Sequence, residues 1–177
     1  IMKIGLCGTM SVGKTTLVNA LKQLPEFKEY NFATERSKYL RDLGIPLNTD
    51  STLKGQIIFL AERAAELLQE NIITDRTVID VMAFTKAAKS IEYYEAEAFE
   101  ELARNLLVEY DYIFYVSPIG VEMEDNGVRE TDIKYRDLID FIIGLNLQRN
   151  KHRIKNLTTL SGTTEERITQ IKETIFG

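Results

Sequence analysis

The stretch Gly8-Thr9-Met10-Ser11-Val12-Gly13-Lys14-Thr15 decides how this chain is read. It matches G-x-x-x-x-G-K-[ST] at every fixed position and directly follows the apolar run Met2–Cys7, the strand-then-loop context in which the pattern has chemical meaning. A glycine-rich turn lets successive backbone N–H groups converge with no Cβ in the way, and converging N–H groups suit a polyanion such as a phosphate chain. The helix expected from Gly13, with Leu17, Leu21 and Leu24 on its apolar side, adds the positive end of its dipole. On this reading Gly8, Ser11, Val12, Gly13, Lys14, Thr15 and Thr16 surround the phosphates of a nucleoside triphosphate. Lys14 reaches the β- and γ-phosphates and the Thr15 hydroxyl ligates Mg²⁺, so ATP and Mg²⁺ are the expected cofactors.

Working outward, short apolar runs alternate with longer helical patterns, the signature of a parallel sheet covered by helices on both faces. The runs that suit buried strands are Met2–Cys7, Tyr30–Thr34, Asn71–Thr74, Tyr112–Ser117 and Asn156–Leu160. Helical patterns cover Gly13–Leu24, Glu35–Leu43, Leu53–Glu70, a broken region from Val78 to Glu109, Thr131–Arg149 and Thr164–Ile175. The last begins at Thr163 or Thr164 followed by Glu165 and Glu166, and carries Ile168, Ile171 and Ile175 at helical spacing. The expected fold is a single three-layer α/β domain over residues 1–177, with a five-stranded parallel sheet in the order 2-3-1-4-5. The first strand is central because its loop must be flanked by the ends of strands three and four. A ligand then lies at the carboxyl ends of the strands.

Each further motif falls at such an end. Asn71–Thr74 runs into Asp75-Arg76, where Asp75 is placed to hold Mg²⁺ directly or through water and Arg76 to grip a phosphate, although a surface ion pair reads the same way. Glu35 closes the second strand. A carboxylate there serves either to take the proton of an acceptor hydroxyl or order Mg²⁺, or simply to stabilise a helix start. Glu124-Asp125-Asn126-Gly127-Val128-Arg129 is polar, contains glycine and leads into a long helix, as a lid over a triphosphate would, with about residues 119–131 forming it. Arg129 and Arg136, seven residues apart, share a helical face and are candidates to clamp the γ-phosphate, with Lys134 a third; a solvated helix face is the competing reading. Tyr30, Tyr39, Phe59, Tyr93 and Tyr94 are candidates for stacking on a base, although aromatics at helical spacing more often belong to a core.

Two resemblances sharpen this. Phe59-Leu60-Ala61-Glu62-Arg63-Ala64-Ala65-Glu66, followed by Asp75-Arg76-Thr77-Val78-Ile79-Asp80-Val81-Met82-Ala83-Phe84, resembles the thymidylate kinase family, in which an F-A-A-D-R-A-E helix precedes D-R-Y-x-x-S-x-x-A-Y. Thr77, Asp80 and Phe84 depart from the Tyr, Ser and Tyr of that pattern. Deoxynucleoside kinases carry a similar E-R-S at this strand end and a similar Glu at the place of Glu35. The resemblance implies that Arg63 and Arg76 contact the phosphate acceptor; otherwise Arg63 is a helical residue pairing with Glu62, Glu66 or Glu70. The second half is similar to the nicotinamide riboside kinase domain of bacterial NAD-metabolism regulators, where D-D-G-L-R precedes an Arg- and Leu-rich helix. By that likeness Ser161-Gly162 and Arg167 hold the places of a loop that backs an adenine and of an Arg in the final helix. Together these imply membership of the P-loop nucleoside and nucleotide kinase clan.

Composition bounds the alternatives. The chain has 177 residues, 44% hydrophobic and 28% charged, with a net charge of −5. No apolar run approaches the roughly 20 residues of a membrane span, and the apolar start is too short for a secretory leader, so no membrane partner and a cytoplasmic setting are expected. One cysteine, Cys7, excludes an internal disulfide, and one histidine, His152, excludes a multi-histidine metal cluster. The leading expectation is an ATP- and Mg²⁺-dependent transfer of phosphate to a small acceptor: a nucleoside, a nucleoside monophosphate or a related ribosyl compound. A kinase acting on a nucleic-acid end or modified base would use the same parts and the basic run Arg149, Lys151, His152, Arg153 and Lys155, against the acidic total. A nucleotide-hydrolysing switch is the third reading; N-K-x-D is absent, so guanine selectivity has no support. A homodimer is left open.

Overall fold

The computed structural model describes residues 2–34, 37–120 and 130–177. Its strands are β1 (Lys3–Cys7), β2 (Asn31–Ala33), β3 (Ile72–Asp75), β4 (Tyr112–Val116) and β5 (Leu157–Leu160). Its helices are α1 (Lys14–Lys22), α2 (Ser37–Asp42), α3 (Leu53–Glu66), α4 (Val78–Ala87), α5 (Tyr93–Ala103), α6 (Glu130–Arg149) and α7 (Thr164–Phe176). The five strands form one sheet in the order β2-β3-β1-β4-β5, and every neighbouring pair is parallel. This is the expected topology, with β1 at the centre. The broken helical region resolves into α4, α5 and a 3₁₀ stretch over Arg104–Glu109.

Side chains alternate across a strand, so the central β1 feeds a core on each face of the sheet. Ile4 and Leu6 point to one face, where they join Leu17, Val18 and Leu21 of α1 and Ile171 of α7 in a buried cluster. Cys7 points to the other, into a larger cluster with Val78, Ile79 and Met82 of α4 and Ile139 and Ile143 of α6. Burial pushes the Cys7 thiol well above its usual pKa, so it stays a small apolar group rather than a nucleophile.

Helix starts are chemically marked. α4 begins with a full capping box: the Thr77 hydroxyl accepts from Ile79 N–H at 3.1 Å, and Asp80 accepts from Thr77 N–H at 2.7 Å. α7 begins the same way, with Thr163 Oγ1 accepting from Glu166 N–H at 3.2 Å. No helix among the described residues is long and apolar enough to cross a membrane.

β1 has room for α4 only because Gly5 lacks a side chain. A Cβ at Gly5 would lie 2.5 Å from Thr77 Cγ2 and 2.8 Å from the Tyr110 ring. Tyr110 is itself pinned there, its hydroxyl accepting from Val78 N–H at 3.3 Å. Gly5→Ala is therefore expected to destabilise the fold by about 1–3 kcal/mol through overpacking, read as a lower urea midpoint at unchanged m-value. A midpoint equal to that of the wild type would show that Thr77 and Tyr110 do not press on this strand.

Candidate active site

The chain leaves β1 at Cys7 and turns back into α1 through the glycine-rich loop. Ser11 (φ 59°) and Gly13 (φ 86°) both adopt left-handed backbone, and at Gly13 a side chain would be strained by φ and would crowd Arg167 Nη1 at 3.1 Å. Three helices hold the loop from outside. Gly8 N–H donates to Asp80 Oδ1 at 3.0 Å (α4), Thr9 Oγ1 donates to the Arg136 carbonyl at 2.8 Å (α6), and Arg167 Nη1 donates to the Val12 carbonyl at 2.6 Å (α7). Arg167 Nη2 also reaches the Ser117 carbonyl at 3.1 Å, tying the loop to the end of β4.

Inside the loop is a cavity of about 290 Å³ lined by Met10–Thr16, Asp75 and Arg76. The Lys14 ammonium is folded back onto the loop's own carbonyls, donating to Gly8 O and, at 2.8 Å, to Thr9 O. Burial, with Arg76 adding to it and Asp80 and Asp75 opposing, lowers the Lys14 pKa to about 8. Thr15 and Thr16 are exposed at the cavity. Asp75 is buried at the end of β3 in register with Leu6 of β1, and Arg76 N–H closes the pairing on the Leu6 carbonyl at 2.9 Å. Asp75 and Thr15 thus offer the phosphate cavity oxygen donors, the donor class that Mg²⁺ takes. No cluster of three potential metal-ligating side chains occurs among the described residues.

A second cavity of about 250 Å³ lies beside the first, lined by Arg41, Leu47, Asn48, Ser51, Gln56, Phe59, Arg63, Arg76, Asp80, Val81 and Phe84. Arg76 borders both cavities. It has φ 93°, outside the usual range for an L-residue, and its guanidinium lies over the Phe84 ring, 4.9 Å from the centroid. Arg63 is 1% exposed and is gripped by Glu66 through Nε at 2.9 Å and Nη2 at 2.6 Å. Burial works against the Arg63 charge, but Glu66 outweighs it and holds the pKa above the ordinary value. Arg63 thus pairs along its helix with Glu66, buried instead of solvated, and lines the second cavity.

Of the other expected residues, Gly8 belongs to the loop, and Ser11, Val12 and Gly13 line its cavity. Arg136 is buried, with its carbonyl on Thr9. Glu35 and Arg129, and most of the lid segment, lie outside the described residues. Among the aromatic candidates Phe59 lines the second cavity and Tyr30 packs edge-on against Phe27, whereas Tyr39, Tyr93 and Tyr94 are exposed. The basic run precedes β5 and so sits at the amino ends of the strands, opposite the loop, with Lys155 3.7 Å from Asp111. Gln56, which sequence reasoning passed over, lies two turns before Arg63 on the same face of α3. Its amide nitrogen donates to Thr85 Oγ1 at 3.0 Å.

A phosphate loop on the central strand of a parallel 2-3-1-4-5 sheet defines the P-loop nucleoside and nucleotide kinase fold. A family model described as AAA domain matches residues 3–167, and the chain belongs to that family. Among solved structures it is similar to a deoxyadenosine kinase from M. mycoides with products bound (TM-score 0.65, 19% identity, 98% of each chain covered). It is also similar to a NadR protein in complex with NR (0.73, 18%, 97% of this chain and 51% of that one) and to thymidylate kinase from Candida albicans (0.67, 17%, 98% and 90%). No curated protein matches the chain.

The Lys14 pKa makes a testable statement about the free protein. Its folded value, about 8, lies below the ordinary 10.5, so between these values the unfolded chain binds the proton more tightly. The Lys14 contribution to stability is then full above pH 10.5 and is lost as pH falls toward 8. Urea unfolding of wild type and Lys14→Met from pH 7 to 10 should show the wild type gaining stability relative to the variant as pH rises. Parallel curves would mean that Lys14 is solvated normally.

Proposed function

We propose that the protein is an ATP- and Mg²⁺-dependent phosphotransferase that moves the γ-phosphoryl group to a nucleoside, a nucleoside monophosphate or a related ribosyl compound. The observation that carries this is the pair of adjoining cavities meeting at Arg76. One is built from a phosphate loop. The other has apolar walls in Phe59, Phe84, Val81 and Leu47 and polar groups in Gln56, Ser51 and Asn48, the mixture that holds a flat, partly polar small molecule. A hydrolytic switch needs the first cavity and has no use for the second, although the family description fits either.

The chemistry follows from charge. Phosphoryl transfer places negative charge on the transferring group, and groups already positioned around it stabilise that charge best. Lys14 leaves the Gly8 and Thr9 carbonyls for the β- and γ-oxygens. Arg76, between donor and acceptor, faces the group in transit, and its stacking on Phe84 limits the rotamers it must lose. Asp75 and the Thr15 hydroxyl would hold Mg²⁺, which when bound would supply positive charge to offset that of the phosphates. Glu66 takes two of the five N–H donors of Arg63, and the others serve the acceptor. Glu35 is kept as the base or metal-ordering carboxylate. Arg129 and Arg136 are kept as γ-phosphate contacts, on their positions in the sequence. The basic run that would have favoured a nucleic-acid acceptor sits at the far end of the sheet and adds nothing to this cleft.

The test is ADP production with ATP and Mg²⁺ against a panel of nucleosides, mononucleotides, nicotinamide riboside and short DNA. Turnover is expected with a small acceptor and to be slow without one. Lys14→Ala should lower kcat by about 10²–10³. Turnover indifferent to every acceptor would move the protein to the hydrolytic reading, and a Lys14→Ala variant of normal rate would remove the site.

A further inference from the structure

Asp80 is absent from the roles above, yet it is fully buried and accepts three hydrogen bonds. Oδ2 takes Thr77 N–H at 2.7 Å and Thr77 Oγ1–H at 3.0 Å; Oδ1 takes Gly8 N–H at 3.0 Å. The first belongs to the capping box of α4, and the second braces the same turn. The third does not: it crosses 72 residues of sequence to the first residue of the phosphate loop. The β1–β3 register ends at Leu6 and Asp75, where Arg76 N–H donates to the Leu6 carbonyl at 2.9 Å. Asp80 is the carboxylate that bridges the two segments past that point. Gly8 is thereby held on both sides, its N–H by Asp80 and its carbonyl by Lys14.

We propose that Asp80 is a positioning residue that fixes the entry of the phosphate loop against the Asp75-Arg76 turn, in addition to capping α4. The inference rests on the phosphate-site reading of the loop. A carboxylate suits the position because all its lone pairs accept. Asparagine has the same shape but only one accepting oxygen. Whichever way it turns, its NH₂ group faces an N–H donor, either that of Gly8 or that of Thr77. Serine, which the thymidylate kinase pattern carries here, is too short to span both.

The experiment compares Asp80→Asn with Thr77→Ala, which removes the capping hydroxyl and its bond to Asp80 Oδ2 but alters neither atom of the Gly8–Asp80 Oδ1 bond. Binding of ADP, with and without Mg²⁺, is measured by calorimetry beside urea unfolding. Both variants should lose stability. Asp80→Asn should weaken ADP binding tenfold or more, while Thr77→Ala stays within about twofold of wild type. Equal affinities in the two variants, or wild-type affinity in Asp80→Asn, would reduce Asp80 to a helix cap and overturn the proposal. Should Asp80→Asn not fold, hydrogen exchange on the nucleotide-free wild type decides. The Gly8 amide is expected to be protected together with that of Thr77, and a Gly8 amide exchanging as fast as those of Met10 and Ser11 overturns it. The readout is binding, so a wild type that binds ADP but phosphorylates nothing would refute the phosphotransfer reading and leave this test standing.

Discussion

The pairing of β1 with β3 sets everything at this site. With Leu6 level with Asp75, the two strands end together, and their loops leave the sheet at one height. The phosphate loop emerges from one and the Asp75-Arg76 turn from the other, so a carboxylate, a guanidinium and the loop's N–H groups converge without any long side chain having to reach. A one-residue slip would turn Asp75 to the opposite face of the sheet and bring Thr74 into its place. That register is specified strongly, because β1 and β3 are buried on both faces and Ile4, Leu6 and Ile73 have apolar partners to lose.

Convergence brings a cost in electrostatics. Lys14, Asp75 and Asp80 are all buried, and burial lowers the Lys14 pKa while the two carboxylates oppose that shift. Among the described residues these, with Arg76, are two cations set against two carboxylates. In the free protein Lys14 is held by the Gly8 and Thr9 carbonyls, and Asp80 by the Gly8 and Thr77 N–H groups and the Thr77 hydroxyl. The helices contribute rigidity: α4, α6 and α7 each place one polar contact on the loop, so a loop with two left-handed residues has a defined shape in the free protein.

Much of this was legible in the sequence, and the reasons differ by element. The strands were readable because a buried parallel strand is a continuous apolar run, and their order was readable because a phosphate loop must sit between two neighbouring strand ends. Asp75, Arg76 and Arg63 were readable because they stand at fixed offsets from a strand end and on a helix in a patterned segment. Asp80 was visible only as a departure from a pattern. Its role depends on a contact to Gly8 that nothing local encodes. Arg167 was singled out only by resemblance, as the Arg of the final helix, and its bonds to the Val12 and Ser117 carbonyls are long-range contacts that no local pattern encodes. Gln56 could have been found from its spacing to Arg63, which puts both on one face of α3. The exposed Tyr93 and Tyr94 show the converse: aromatic residues in a helical pattern whose rings face solvent.

The backbone of Arg76 carries one more consequence. A side-chain-bearing residue at φ 93° sits in a sparsely populated conformation that costs on the order of 1–3 kcal/mol and persists only where its surroundings enforce it. Here the enforcing elements are the last β1–β3 ladder bond on one side and the capped start of α4 on the other. Glycine would adopt this turn at ease, so thermal robustness and chemistry pull the position in opposite directions. Selection for a hardier protein alone would favour glycine here, and with it the loss of the guanidinium that borders both cavities.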